Sequence, residues 1–130
     1  MREPKFLTLN EVLYLHEESL QRFGGMAGIG DTGLIESALG SSRNTFWYGQ
    51  GDLFDIAAAY AFNIAQAQAF TDGNKRTGTA AALAFLDRNG VIAPEDDGSV
   101  YDALIAIAER RMDKPGLARV LQTLCSRTDE

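Results

Sequence analysis

Apolar residues in this chain recur at the three- and four-residue spacing of a helix, and nowhere do they alternate as in a half-buried strand. That periodicity constrains the fold most. The clearest stripe is Leu53, Ile56, Ala57, Tyr60, Ala61 and Ile64, in a helix expected from about Asp52 to Ala69. Continued by one turn, it places Gln68 four residues beyond Ile64 and pointing inward. The following helix is expected over Asn74–Asn89 with Gly90 as its stop, and its Gly78, Ala80, Ala81, Ala82 and Ala84 are small enough for a neighbouring helix to approach closely. A first helix carries Leu9, Val12, Leu13, Leu15, Leu20 and Phe23, with Thr8 or Asn10 as cap and Gly24-Gly25 as stop.

A second, short helix follows a loop, capped by Asp31 and stopped at Gly40. "RNTFWYGQGD" (Arg43–Asp52) shows no helical period and reads as an exposed loop or short extended flap. "SVYDALIAIAERRM" and "KPGLARVLQTLCSR" supply a fifth and a sixth helix, the latter with Pro115 near its first turn. The expected fold is all-α: one compact domain over residues 1–130, a bundle of about six helices.

Composition narrows the class. The chain has 130 residues, 45% of them hydrophobic, enough for a sizeable core. No apolar run approaches the roughly 20 residues of a membrane span, and the N-terminus does not read as a signal peptide. With one cysteine, Cys125, and one histidine, His16, neither an internal disulfide nor a Cys/His metal site is available. The lone thiol suits a reducing cytoplasm. A net charge of −6 argues against nucleic-acid binding through a broad basic surface.

Chemistry concentrates in "FTDGNKR", between the third and fourth helices. A helix N-terminus attracts anions because its first N–H groups lack partners and its peptide dipoles point that way. Gly73 permits the tight backbone of an anion nest, and the Asn74 amide can donate to a phosphate oxygen. Lys75 and Arg76 add positive charge, and Asp72 stands where a Mg²⁺ bridging phosphates would need a carboxylate. Phe70 would fix the loop to the core. The combination reads as a triphosphate site. The same residue types also occur as an ordinary cap, a turn glycine and a solvated basic face. A Walker A loop is excluded, because Gly73 precedes Asn74 and a helix, not a strand, comes before it.

"AFTDGNKRTG" resembles the Fic-superfamily motif H-x-F-x-[DE]-[GA]-N-[GK]-R, in the lysine form of death-on-curing (Doc) toxins. "LTLNEVLYLHEESLQRFGGMAGIGDTGLIESAL" and "FLDRNG" are similar to Doc in order and distance. The resemblance implies an all-helical toxin of a toxin–antitoxin module. It implies a kinase that moves the γ-phosphate of ATP to a threonine of the translation factor EF-Tu, and a Phd-like antitoxin that neutralises it. By motif position Asp72 would hold Mg²⁺, and Gly73, Asn74 and Thr77 would cradle phosphates. Lys75 and Arg76 would neutralise the transferring and leaving groups. The Arg43–Asp52 segment falls where Fic proteins align their target. AMP transfer, as in other Fic proteins, and a non-catalytic binding module are the alternatives.

The motif's first residue should be a histidine acting as general base, and here it is Gln68. A carboxamide can hold a hydroxyl but cannot take its proton, so this chain is expected to be catalytically impaired. His16 reads as a partly buried or surface residue that nothing in the sequence brings to the loop. Trp47, Phe46 and Tyr48 read as a loop anchor, "EDDG" as a solvated turn and helix cap, and Cys125 as inert packing. Arg110, Arg111 and Lys114 suit the dipole at the end of the fifth helix, and facing the motif loop is their alternative reading.

Overall fold

The computed structural model describes residues 3–49 and 51–126. Among them six helices follow one another: α1 (Leu9–Phe23), α2 (Thr32–Trp47), α3 (Leu53–Ala67), α4 (Asn74–Arg88), α5 (Ser99–Ala108) and α6 (Lys114–Ser126). The expected sixth helix extended to Arg127, and the expected flap included Gln50; both residues lie outside the described ones. No helix is long and apolar enough to cross a membrane among the described residues.

Local chemistry starts the helices. Thr8 and Glu11 form a reciprocal capping box at α1, and Asp52 and Asp55 do the same at α3, each pair satisfying two otherwise orphaned N–H groups. Asp31 caps α2 through the Gly33 N–H. In the "EDDG" turn the Asp96 carboxylate accepts from Val100 N–H and Tyr101 N–H at the start of α5.

The central element is α3, which packs on α2, α4 and α6. Tyr60 at its middle is fully buried against Phe85, and its hydroxyl accepts a hydrogen bond from Leu7 N–H at 3.1 Å. Burial pushes this phenol above its usual pKa. A side chain at Gly78 of α4 would place its Cβ 2.6 Å from the Ala61 carbonyl oxygen of α3, so the two backbones meet here because residue 78 has none. Asn89 brackets the backbone of Lys5, and Arg88 pairs with Glu11, tying the N-terminal segment and α1 to the end of α4. Cys125 is buried in α6, and desolvation raises its thiol pKa, in keeping with inert packing.

Two expectations about α2 are corrected. It does not stop at Gly40 but runs on to Trp47, so Arg43–Trp47 of the expected loop are helical, while Tyr48, Gly49, Gly51 and Asp52 are not. Ile35, Ala38, Leu39 and Ser42 make a continuous buried stripe. Ser42 Oγ donates to the Ala38 carbonyl and accepts from Asn63 Nδ2 of α3 at 3.1 Å. Packing of that stripe outweighs the roughly 1 kcal/mol that a mid-helix glycine costs. Phe46 then anchors the helix end edge-on against Phe6, while Trp47 and Tyr48 stay exposed.

Candidate active site

The loop between α3 and α4 is built by partners from elsewhere in the chain. The backbone of Gly28–Gly30 runs antiparallel beside Ala69–Thr71: Gly30 N–H donates to Ala69 O at 2.8 Å, and Thr71 N–H to Gly28 O at 3.0 Å. This pairing pulls the chain out of α3. Gln68 therefore caps the helix in the left-handed region (φ 53, ψ 37). The expectation that it extends the buried stripe inward is corrected: Gln68 is exposed, and its amide nitrogen donates to the Ala65 carbonyl at 3.0 Å. Phe70 does lock the loop to the core, at 4% exposure. Asn74 closes the turn from within, accepting from Phe70 N–H at 3.1 Å and donating to Phe70 O at 2.9 Å.

His16 lies directly against this loop, contrary to the expectation that nothing brings it there. It is buried, its ring stacks on Phe70 at 3.7 Å between centroids, and its Nε2 donates to the Asp72 carbonyl at 2.8 Å. The placement follows from α1 crossing α4, a contact between residues 56 apart in sequence.

Gly73, in the left-handed region at φ 82, caps α4 without any side-chain hydrogen bond, so the first turn of α4 presents its N–H groups to a cleft of about 430 Å³. Asp72, Gly73, Asn74, Lys75, Arg76 and Gln68 all line it. The Asp72 carboxylate is oriented by Met26 N–H, which donates to one of its oxygens at 2.8 Å. A carboxylate oxygen is also the kind of ligand that a hard cation takes. Among the described residues no group of three or more Asp, Glu, His or Cys side chains could hold a metal by itself. Asp72 is the one carboxylate lining this cleft, so a cation held here would need its remaining ligands from a bound molecule or water.

The structure brings Gln68, Asp72, Gly73, Asn74, Lys75 and Arg76 to one surface, and it leaves Thr77 out. Thr77 is fully buried on the face of α4 turned to the core, with its N–H already given to Gly73 O. Two neighbours were missed in the sequence, Phe23 and Tyr101. Arg76 lies over the rings of Phe23 (3.9 Å) and Tyr101 (4.7 Å), from α1 and α5. Gln68 and Lys75 also wall a second hollow of about 390 Å³ that reaches Arg110. Arg110 stands beyond the end of α5, in the left-handed region. A larger hollow, about 770 Å³ between the end of α5 and α6, includes Arg110 and Arg119 but none of the loop residues. Volume alone favours it, yet convergent polar chemistry lies at the loop, and chemistry decides the choice.

Fold and loop together define an all-helical domain organised around a polar turn at an open helix N-terminus. Residues 6–86 match the Fic/DOC family, and the chain belongs to it. It is similar to "Protein kinase doc" of Escherichia phage P1, 31% identical over 121 residues that cover 92% of this chain and 95% of that protein. It is also similar to "Toxin Doc" of Mycolicibacterium smegmatis, 38% identical over 104 residues, 76% of this chain and 79% of the relative.

Proposed function

We propose that this chain is a Doc-type toxin whose loop cleft binds ATP with Mg²⁺ for transfer of the γ-phosphate to a protein hydroxyl. The observation that carries the reading is the convergence of Asp72, Lys75, Arg76 and the open first turn of α4 on one cleft. In such a transfer the target oxygen bonds to the γ-phosphorus, the bond from that phosphorus to the β–γ bridging oxygen breaks, and ADP leaves. The α4 N-terminus and Lys75 hold the phosphate chain and offset its charge, and Arg76 adds positive charge from the wall of the same cleft. Mg²⁺, held at Asp72, would supply further charge neutralisation.

The hydroxyl proton needs an acceptor, and Gln68 offers none near neutral pH. His16 is no substitute, since it is buried with Nε2 committed to the Asp72 carbonyl. Turnover by this chain is therefore held low, by about 10²–10⁴-fold relative to a form with a base at position 68. The expected protein substrate is a threonine of EF-Tu, the expected partner a Phd-like antitoxin, and the expected compartment the cytoplasm.

The test is to incubate the chain and its Gln68→His form with Mg²⁺, EF-Tu and ATP labelled at either the γ- or the α-phosphate. γ-Label on EF-Tu with the histidine form, and little with the parent, is the expected result. α-Label instead would make the chain an AMP transferase. No label with either form would leave a binding module as the reading, which the tethering of Gln68 to Ala65 O also suits.

A further inference from the structure

His16 is the chain's only histidine, and the reaction outlined above makes no use of it. It is placed where a purely space-filling residue would gain nothing from a ring nitrogen. The imidazole is 4% exposed, lies nearly parallel to Phe70 (13° between planes) and meets the Asp72 carbonyl at 2.8 Å. A carbonyl only accepts, so Nε2 carries the proton in this contact.

The consequence lies on the other side of the same peptide. The Asp72–Gly73 peptide is trans and planar, so its C=O and N–H point in opposite directions. Turning the carbonyl in to His16 turns the Gly73 N–H away from the ring. Gly73 is left-handed and Asn74 helical, the alternation that makes consecutive N–H groups converge on an anion. Leu20, one turn along α1, packs with His16 beneath Gly73, where a Cβ would meet both side chains at 3.5–3.6 Å. The floor under the loop is therefore closed on the α1 side, and one polar contact fixes the peptide above it.

We infer that His16 is a positioning residue for the phosphate loop: its Nε2–H holds the Asp72 carbonyl so that the Gly73 amide and the first turn of α4 stay aimed at the ligand. This rests on the reading of the loop as a phosphate site. His16→Phe keeps the ring on Phe70 but removes the donor, whereas His16→Gln places an amide N–H near the position of Nε2. Two readouts separate a latch from a core residue: Mg·ATP affinity by calorimetry, and the amide ¹H–¹⁵N signal of Gly73 in the ligand-free protein.

The Phe variant is expected to keep its helical signal, shift the Gly73 amide signal and weaken Mg·ATP binding about tenfold, the scale of one lost hydrogen bond. The Gln variant should return both readouts most of the way to the parent. Parent-like affinity and an unmoved Gly73 signal in the Phe variant would overturn the inference and leave the phosphate reading standing. If the parent itself binds no Mg·ATP, the phosphate reading falls and the inference with it. Should the Phe variant fail to fold, the parent's imidazole nitrogen spectrum decides: a proton on Nδ1 alone contradicts the latch.

Discussion

The two ends of the α3–α4 pair are held by different physics. At the body, Gly78 lies against the Ala61 carbonyl and Phe85 against Tyr60, so the contact is set by side-chain size along two adjacent helices. At the loop end the chain is held by polar contacts from His16, Met26, Gly28 and Gly30, none of which belongs to either helix. The body resists change because it is close-packed. The loop keeps its shape because the backbone groups that shape it have specific partners. Stability and ligand binding should therefore respond separately to substitutions at the two ends.

Phe85→Ala attacks the body most directly. Phe85 is fully buried beside Tyr60 and Phe6, and its truncation should lower unfolding free energy by about 3–5 kcal/mol in denaturant titration. A loss under about 1 kcal/mol would mean that this end is not close-packed in solution. Gly78→Ala comes next. Its Cβ would lie 2.6 Å from the Ala61 carbonyl oxygen, so the helices must separate. Overpacking of this kind costs about 1–3 kcal/mol, and the helix propensity of alanine returns up to about 1. A net loss on denaturation is expected, and a stabilised variant would break the size argument.

At the loop end, Asn74→Ala removes both bonds to the Phe70 backbone. A global loss of only about 1 kcal/mol is expected, because the groups are part-buried and water can partly replace the amide. Hydrogen exchange should accelerate at residues 69–74 while α3 and α4 keep their protection. Equal acceleration along both helices would show that loop and body unfold as one unit, and the contrast between them would not hold.

The same division explains what was legible in the sequence. All six helices could be read because each shows apolar spacing over a few residues, reinforced by local caps as at Thr8–Glu11 and Asp52–Asp55. Gly40 misled because its cost is local and visible, whereas the Ser42–Asn63 contact that offsets it joins two helices. Gln68 was expected to continue a periodic stripe, but the pairing of Ala69–Thr71 with Gly28–Gly30 ends the helix first. His16 was invisible for the same reason, since its partner lies 56 residues away. At the site, the loop residues could be read as chemistry, but Phe23 and Tyr101 around Arg76 follow only from how α1 and α5 meet α4. Local rules carried the fold, and distant contacts shape the site.

Asp72→Asn should have the smallest effect on stability and the sharpest on binding. The side chain is exposed, and its structural duty is to accept one hydrogen bond from Met26 N–H. An amide oxygen can accept that bond equally well, so unfolding free energy should stay within about 0.5 kcal/mol of the parent. What is lost is the charge: a neutral amide is a poor ligand for Mg²⁺. ATP affinity should therefore lose most of its dependence on Mg²⁺, measured by titrating ATP with and without the metal. If the metal helps the variant as much as the parent, Asp72 serves only to hold Met26, and the loop end would differ from the body in its contacts but not in its chemistry.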